Sequence, residues 1–553
     1  MRLRILLLGI LSFLSIALLA QLSKRAAAPA PIQFRNVASA AGLNFVLENA
    51  PTPEKRLIET MPGGVAVFDY DGDGLDDIFF TNGASVPSLM KSAPKFHNHL
   101  FRNLGGMKFK DVTAEAGLTG VGYSIGASAA DYDNDGQVDL FIAGVNSNHL
   151  YHNLGNGKFE DVTSKAGIKS DVWSIAGGWF DYDNDGLLDL FVVNYVKWSP
   201  ENPPFCGDPA HNIRAYCHPR FFEGLPNTLY HNRGDGTFED VSVVSGIAAK
   251  IGKGMSVAFA DYDGDGMTDV FVTNDKQVNF LFHNLGNGKF AEVALEIGAA
   301  LPDDGRTISG MGTDFRDYDN DGRPDIVLAA LAGETFPLFR NEGKHGFRDW
   351  TYRSRIGPLT HQLSGWSLGL FDFNNDGWKD LFTANSHVND TVERFEAAKY
   401  KLANSIFAND GDGTFRDVSK DAGADFQAAH VHRGAAFADF SRDGKVDVVV
   451  SAIGEHAELW ENVSPEANTW LILKLRGTRS NRDGMGTRIR IGNQYNHMTA
   501  NAGYASSSHS GVHFGLGKVR QVDRIEIRWP SGIKQVLTNV SANQILPVTE
   551  PSK

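Results

Sequence analysis

The chain has 553 residues, 42% of them apolar, with 59 glycines, two cysteines and a formal charge of −14. That length exceeds one ordinary hydrophobic core, and the glycine content suits a large β-rich globular protein. An acidic balance, with a pI near 5.6 and no basic patch, argues against nucleic acid as a partner.

Met1-Arg2-Leu3-Arg4 is a basic start, and the apolar run that follows over 5–20 is 16 residues long. Such a run is short for a bilayer span and suits the core of a signal peptide. The expectation is a leader over 1–28, cleaved after Ala20 or near Ala26-Ala27-Ala28. The product would be exported, periplasmic or secreted, with no stable membrane span; an uncleaved anchor is the alternative. With no Cys after the run, a lipoprotein anchor is not expected.

Seven Asp-rich loops of the form D-x-[DNS]-x-D-G-x-x-D then follow, each after one short apolar stretch and before another. They carry Asp69, Asp71, Asp73 and Asp77; Asp131, Asp133, Asp135 and Asp139; Asp181, Asp183, Asp185 and Asp189; Asp261, Asp263, Asp265 and Asp269; and Asp317, Asp319, Asp321 and Asp325. Two looser copies carry Asp372, Asn374, Asp376 and Asp380, and Asp439, Ser441, Asp443 and Asp447. Oxygens at positions 1, 3, 5 and 9 of a tight turn converge on one point, which suits Ca²⁺ with its six to eight oxygen ligands. Glycine at position 6 permits the sharp turn. Seven divalent ions would bring +14 against the chain's −14, so up to seven Ca²⁺ are expected. Mg²⁺ fits less well because it demands strict octahedral geometry. Asp and Gly also serve as plain turn formers, and the seventh loop, with neutral Ser441, is the weakest metal candidate.

A helical EF-hand is excluded. Its bidentate Glu position is Phe80, Ile142 and Val192 in the first three loops, and Ile78-Phe79-Phe80 is β-prone. Strand–loop–strand is the better reading, and these loops resemble the calcium turns of FG-GAP repeats.

Between loops a hairpin recurs in phase: NHLFRNLGGMKFKDVTAEAGL from Asn98, with copies from Asn148, Asn227, Asn279 and Asn404 and a worn one from Phe336. Loop starts lie 50 to 80 residues apart, a period that suits a four-stranded blade. After the seventh loop only the first half of the hairpin appears, AELWEN over 457–462; its missing half, FRNVASAAGL over 34–43, precedes the first loop. Joining the halves predicts an all-β fold: a seven-bladed propeller over 32–462 closed by the N-terminal strand, leaving no open edge.

A Pro-rich insertion over 198–226 contains the two cysteines, Cys206 and Cys217. In an oxidising compartment they are expected to pair, stabilising so small a loop by roughly 2–3 kcal/mol. A metal pair with His211 or His218 is the alternative.

The repeat pattern stops at Asn462, and 463–549 alternates as short strands in a small C-terminal β-domain. NRDGMGTRIRI from Asn481, GYASSSHSGVHFGLG from Gly503 and VDRIEIRWPSG from Val522 resemble the ASPIC/UnbV domain. Nearly the whole mature chain is therefore similar to the FG-GAP plus ASPIC/UnbV proteins, a set that includes the cartilage acidic proteins. The resemblance implies an extracellular calcium-binding propeller and no particular reaction.

Arg233-Gly234-Asp235 is an RGD tripeptide, but it occupies the hairpin turn of its sister repeats. His361, His387, His430, His432 and Arg433, with Glu59 and Trp366, form a candidate channel site able to hold a transition metal or substrate. Scattered histidines are more often solvated or bonded to backbone. No nucleophile elbow, HExxH or P-loop occurs. The function expected is a binding module for an extracellular protein or glycan, with the insertions over 198–226 and 389–401 recognising it. The alternative is an exported enzyme, polysaccharide-cleaving or a metal oxidoreductase, with its site at the channel.

Overall fold

The computed structural model describes residues 31–201, 203–466 and 468–552, so the leader expected over 1–28 lies outside the described residues. The fold is all-β with a few one-turn helices. Seven antiparallel sheets carry the repeats. In order from inner to outer strand, the first is Val65–Phe68, Asp77–Phe80, His99–Asn103 and Phe109–Asp111. The second to sixth repeat this meander, with inner strands Tyr123–Ala130, Ser174–Phe180, Gly254–Ala260, Thr313–Arg316 and Gly365–Phe371. In the seventh, His432–Ala438, Asp447–Ala452 and Glu458–Asn462 are completed by the N-terminal strand Phe34–Asn36. Phe34 pairs with Asn462 and Asn36 with Trp460, so the two halves of the split hairpin meet.

Inner strands pack side by side in chain order, and Val65–Phe68 also packs against His432–Ala438. Small residues permit this approach: a Cβ on Gly126 would stand 2.2 Å from the Ile175 carbonyl oxygen. An asparagine ending each third strand binds neighbouring sheets together. Asn153 Nδ2 donates to the Tyr70 carbonyl at 2.8 Å, Asn232 to Tyr132, Asn284 to Tyr182, Asn341 to Tyr262, Asn409 to Tyr318 and Asn462 to Phe373. Asn103 of the first sheet donates to Phe440 of the seventh at 3.3 Å.

The C-terminal region forms a three-stranded sheet, with Thr469–Arg476 flanked by Val512–Gly517 and Gln544–Thr549, and a four-stranded sheet built on Gln521–Arg528. From it the segment 501–508 enters the axis between the inner strands. Ser507 and Ser508 pair in parallel with Ala66 and Val67, and the Ala505 carbonyl accepts from the Ala127 amide at 3.0 Å. Asn501 Nδ2 donates to the Gly177 carbonyl, the Ser256 hydroxyl donates to the Gly503 carbonyl, and Gly503 bridges Thr313. The Tyr504 amide donates to Ser367 Oγ, and the Phe437 amide donates to Ser508 Oγ. One short segment thus bonds to the inner strand of all seven sheets.

Candidate functional site

Each acidic loop joins an inner strand to its neighbour, and its geometry follows from four positions. Position 1 accepts the position-6 amide, as in Gly136 N to Asp131 Oδ2 at 2.8 Å and Gly377 N to Asp372 Oδ2 at 2.7 Å. Position 5 caps the amide two residues on, as in Gln137 N to Asp135 Oδ1 at 2.7 Å. Position 6 is a left-handed glycine in every copy, from Gly444 at φ 84° to Gly377 at φ 99°. Position 4 is left-handed too, and Asn134, Asn184, Asn320 and Asn375 fill it in four loops. Their side chains donate to the next loop's carbonyl, Asn134 to Gly186 and Asn375 to Gly444, so adjacent loops are linked.

The ninth-position Asp has a structural task besides any ligand role. Asp77 accepts the Tyr70 amide at 3.0 Å on one oxygen and the Asn103 amide at 2.7 Å on the other; Asp447 does the same with Phe440 and Asn462. Burial pushes Asp77 up to about 8 and Asp139 and Asp189 to about 7. At position 1, burial also lifts Asp131 and Asp181 to about 8 and Asp439 to about 7. Asp325, Asp372, Asp380 and Asp447 are likewise raised well above the usual carboxylate range by burial.

These carboxylates fit a hard divalent cation. Ligand atoms of Asp69, Asp71 and Asp77 lie within 4.8 Å of one another, as do those of Asp131, Asp133 and Asp135. Among the described residues, Asp71 Oδ1, Asp131 Oδ1, Asp183 Oδ1 and Asp319 Oδ1 are buried with no hydrogen-bond partner. A buried anionic oxygen without a partner is expensive, and a cation removes the cost.

The third strand supplies a residue that loop spacing alone does not reveal. His152 Nδ1 lies 3.0 Å from Asp139, His231 3.2 Å from Asp189 and His283 3.0 Å from Asp269; each can share a metal site with its loop. The hydrogen bond to Asp139 lifts His152 to about 9. In the first and fifth sheets the position is arginine: Arg102 reaches Asp71 at 2.7 Å and Arg340 reaches Asp319 at 2.6 Å. It is Ala408 in the sixth and Glu461 in the seventh. The signal was present as L-[FY]-[HR]-N in phase with the loops.

The C-terminal domain rests on the loop end of the sheets. Arg482 faces Asp131 at 3.4 Å, Arg488 faces Asp261 at 3.1 Å and Lys474 faces Asp76 at 3.0 Å. Asp483 accepts the Asp131 amide at 2.9 Å, and His513 lies 3.1 Å from the Gly444 carbonyl. A cleft of about 440 Å³ opens between the two, lined by Phe259, Asp261, Arg488, Tyr495, His497 and Arg528.

At the opposite end lie the candidate channel residues, not all in mutual contact. Arg433 is fully buried over the Trp366 ring at 4.0 Å; its Nε donates to the Thr60 carbonyl at 2.8 Å and its Nη1 to Ser386 Oγ. Burial pulls the guanidinium down to about 10. His387 is lowered by burial and accepts the Asn389 amide at 3.0 Å. His430 and His432 stand together, ring centroids 5.7 Å apart. His361 is exposed after the helix Ile356–Thr360 and takes no part in those bonds. Glu59 is buried and accepts Tyr216 Oη at 3.1 Å, so the Cys206–Cys217 disulfide loop docks here. In the RGD turn, Arg233 pairs with Glu239 at 2.9 Å and Asp235 caps Thr237 at 2.9 Å.

Sheets and loops together define an all-β repeat propeller with acidic turns and an appended β-domain. The FG-GAP-like repeat profile matches 69–142, 131–192, 223–272, 261–328, 317–383 and 372–450, and that for ASPIC and UnbV matches 477–553. The chain belongs to the FG-GAP-like repeat family and carries an ASPIC and UnbV domain. Cartilage acidic protein 1 of Homo sapiens is 26% identical over 331 residues, 58% of this chain and 47% of that protein; that of Mus musculus is 25% identical, over 58% and 48%. The chain thus spans about half the length of the curated relatives it matches. Among solved structures, an Agrocybe aegerita lectin that recognises non-reducing terminal N-acetylglucosamine aligns at 16% identity and TM-score 0.38, covering 72% of this chain and 87% of the lectin. YCF48 with a bound peptide aligns at 9% identity and TM-score 0.41, covering 79% and 98%. Among the described residues no helix is long and apolar enough to cross a membrane.

Proposed function

We propose that this chain is an exported calcium-loaded propeller that binds an extracellular protein or glycan partner. Residues 32–462 form seven blades closed by the N-terminal strand, 463–549 form the docked ASPIC/UnbV-like domain, and 1–28 are the leader. The calcium reading rests on the buried, unpartnered oxygens of Asp71, Asp131, Asp183 and Asp319. Ring closure is supported by the Phe34–Asn462 pairing and by the Asn103 bond to Phe440.

Partner binding is assigned to the end away from the loops, since the C-terminal domain covers the loop end. The two insertions converge there: Lys55 pairs with Asp390 of one and lies 5.3 Å over the Tyr216 ring of the other. They present Phe205, Phe221 and Phe395 at 41%, 55% and 43% exposure, an apolar set of the kind that marks recognition surfaces.

Metal analysis tests the first half: several calcium ions per chain are expected, with a lower melting temperature in EDTA that Ca²⁺ restores. An unchanged melt at thorough chelation removes the structural role. For the second half, F205D combined with F221D should abolish binding on a glycan array or extracellular-protein display, whereas V243D, on an exposed one-turn helix outside both insertions, should not. Equal binding by both variants would move the partner site elsewhere.

A further inference from the structure

The seventh sheet holds a cluster that its sister sheets lack. His432 begins the inner strand and is fully buried, and Glu458 begins the third strand at 3% exposure. His432 Nδ1 lies 3.0 Å from the Asn385 carbonyl. A carbonyl only accepts, so Nδ1 carries the proton and Nε2 of the neutral ring presents a lone pair. That nitrogen is within ion-pair distance of Glu458 Oε2, 3.0 Å, yet out of hydrogen-bond alignment, and among the described residues it has no hydrogen-bond partner. Glu458 Oε2 is fixed from two other sides, by Trp460 Nε1 at 2.9 Å and Asn404 Nδ2 at 2.8 Å. Its second oxygen, Oε1, is buried without a partner and faces His430 Nε2 at 3.7 Å.

We propose that His430, His432 and Glu458 bind a single first-row transition ion, Zn²⁺ being the best match to two imidazoles and a carboxylate. A metal about 2.0–2.2 Å from each donor spans both the 3.0 Å edge from His432 Nε2 to Glu458 Oε2 and the 3.7 Å edge from His430 Nε2 to Glu458 Oε1, so the carboxylate would bind through both oxygens. The Asn385 carbonyl on Nδ1 is the outer-shell contact that metal-bound histidines commonly make. His430, with its side chain one-third exposed, leaves an entry path and a fifth position open to water. Glu455, 3.3 Å from His430 Nδ1, orients that ring. Among the described residues no sister sheet has the same set: the position of Glu458 is His99 in the first sheet and His149 in the second, paired with Asp111 at 2.6 Å and Asp161 at 2.8 Å, and it is Thr228, Phe280 and Ser405 in the third, fourth and sixth. The cluster sits at the strand ends opposite the acidic loops, so it is independent of the calcium reading.

The test uses the full chain in saturating Ca²⁺, which occupies the Asp-His loops, titrated with Zn²⁺ and then Co²⁺. One equivalent of tight Zn²⁺ is expected, with a Co²⁺ visible spectrum typical of four or five ligands. H432A and E458Q should each lose that equivalent. H430N, at the more exposed ligand, should keep the fold and weaken binding at least about tenfold. Wild type that binds no Zn²⁺ in excess Ca²⁺ would overturn the proposal, as would H430N and E458Q proteins that bind Zn²⁺ as wild type does.

Discussion

Calcium uptake by the acidic loops should release protons, and the quantity follows from the carboxylates already described. Burial holds Asp131 and Asp181 near 8 and Asp139 and Asp189 near 7, so the metal-free second and third loops at pH 6.5 each keep between one and two protons that the ion must displace. Calcium affinity at these loops should therefore rise by between about tenfold and a hundredfold per pH unit between pH 5.5 and 7.5. For stability the sign is the reverse in the metal-free protein. A carboxyl raised in the fold supports it below its ordinary value, about 3.9, and that support is lost as pH rises through about 7 to 8. Chelated protein should thus melt progressively lower from pH 4 to 8, while calcium-loaded protein stays level. At a hundredfold excess over Kd each filled site adds about 2.7 kcal/mol. With unfolding entropy near 2.1 cal/mol/K per residue, a ring of this size gains about 3 °C per site. Calorimetric titration in two buffers of different ionisation enthalpy measures the protons directly. Calcium binding that releases none across this range would refute the argument.

Other consequences follow from particular bonds. N153A leaves the Tyr70 and Val138 carbonyls without their donor and should cost about 1–3 kcal/mol in denaturant unfolding. D131N should remove one calcium equivalent and weaken the Arg482 contact, read by metal analysis and by proteolytic release of the C-terminal domain. Tyr504 is buried in the axis with its hydroxyl on the Met61 carbonyl at 2.8 Å, so Y504F should cost about 1 kcal/mol and Y504A about 3–5 kcal/mol. G503A would place a Cβ 2.1 Å from Ser367 Oγ at a left-handed φ of 81°, and its melting temperature should fall below that of Y504F.

Much of the fold was legible because its signals repeat. Seven glycine turns in phase with a hairpin, and one hairpin cut in two, led to the pairing of Phe34 with Asn462. The paired cysteines also followed from composition and compartment. What escaped was non-local or aperiodic. Segment 501–508 is a run of small residues with neither a helical nor a strand period, and only its bonds to seven inner strands reveal it. His152 and Arg102 occupy one repeat position whose chemistry differs between sheets, so the carboxylate spacing alone does not mark them. His430 and His432 were grouped with His361 and His387 on sequence position. Their partner Glu458 comes from another strand, and no periodicity connects the two.

The C-terminal domain and the acidic loops are parts of one mechanical unit. Arg482 and Arg488 place positive charge on position-1 carboxylates from outside, while the Asp483 carboxylate receives the Asp131 amide from the same side. Any change that distorts a loop therefore moves the surface on which the domain stands. Segment 501–508 carries that coupling to the axis, where it bonds to every inner strand. A protein built this way has its loop end occupied and its axis filled by its own chain. At the other end stand the two insertions, the exposed phenylalanines and the His430–His432–Glu458 cluster, the surface to which the proposed binding role is assigned.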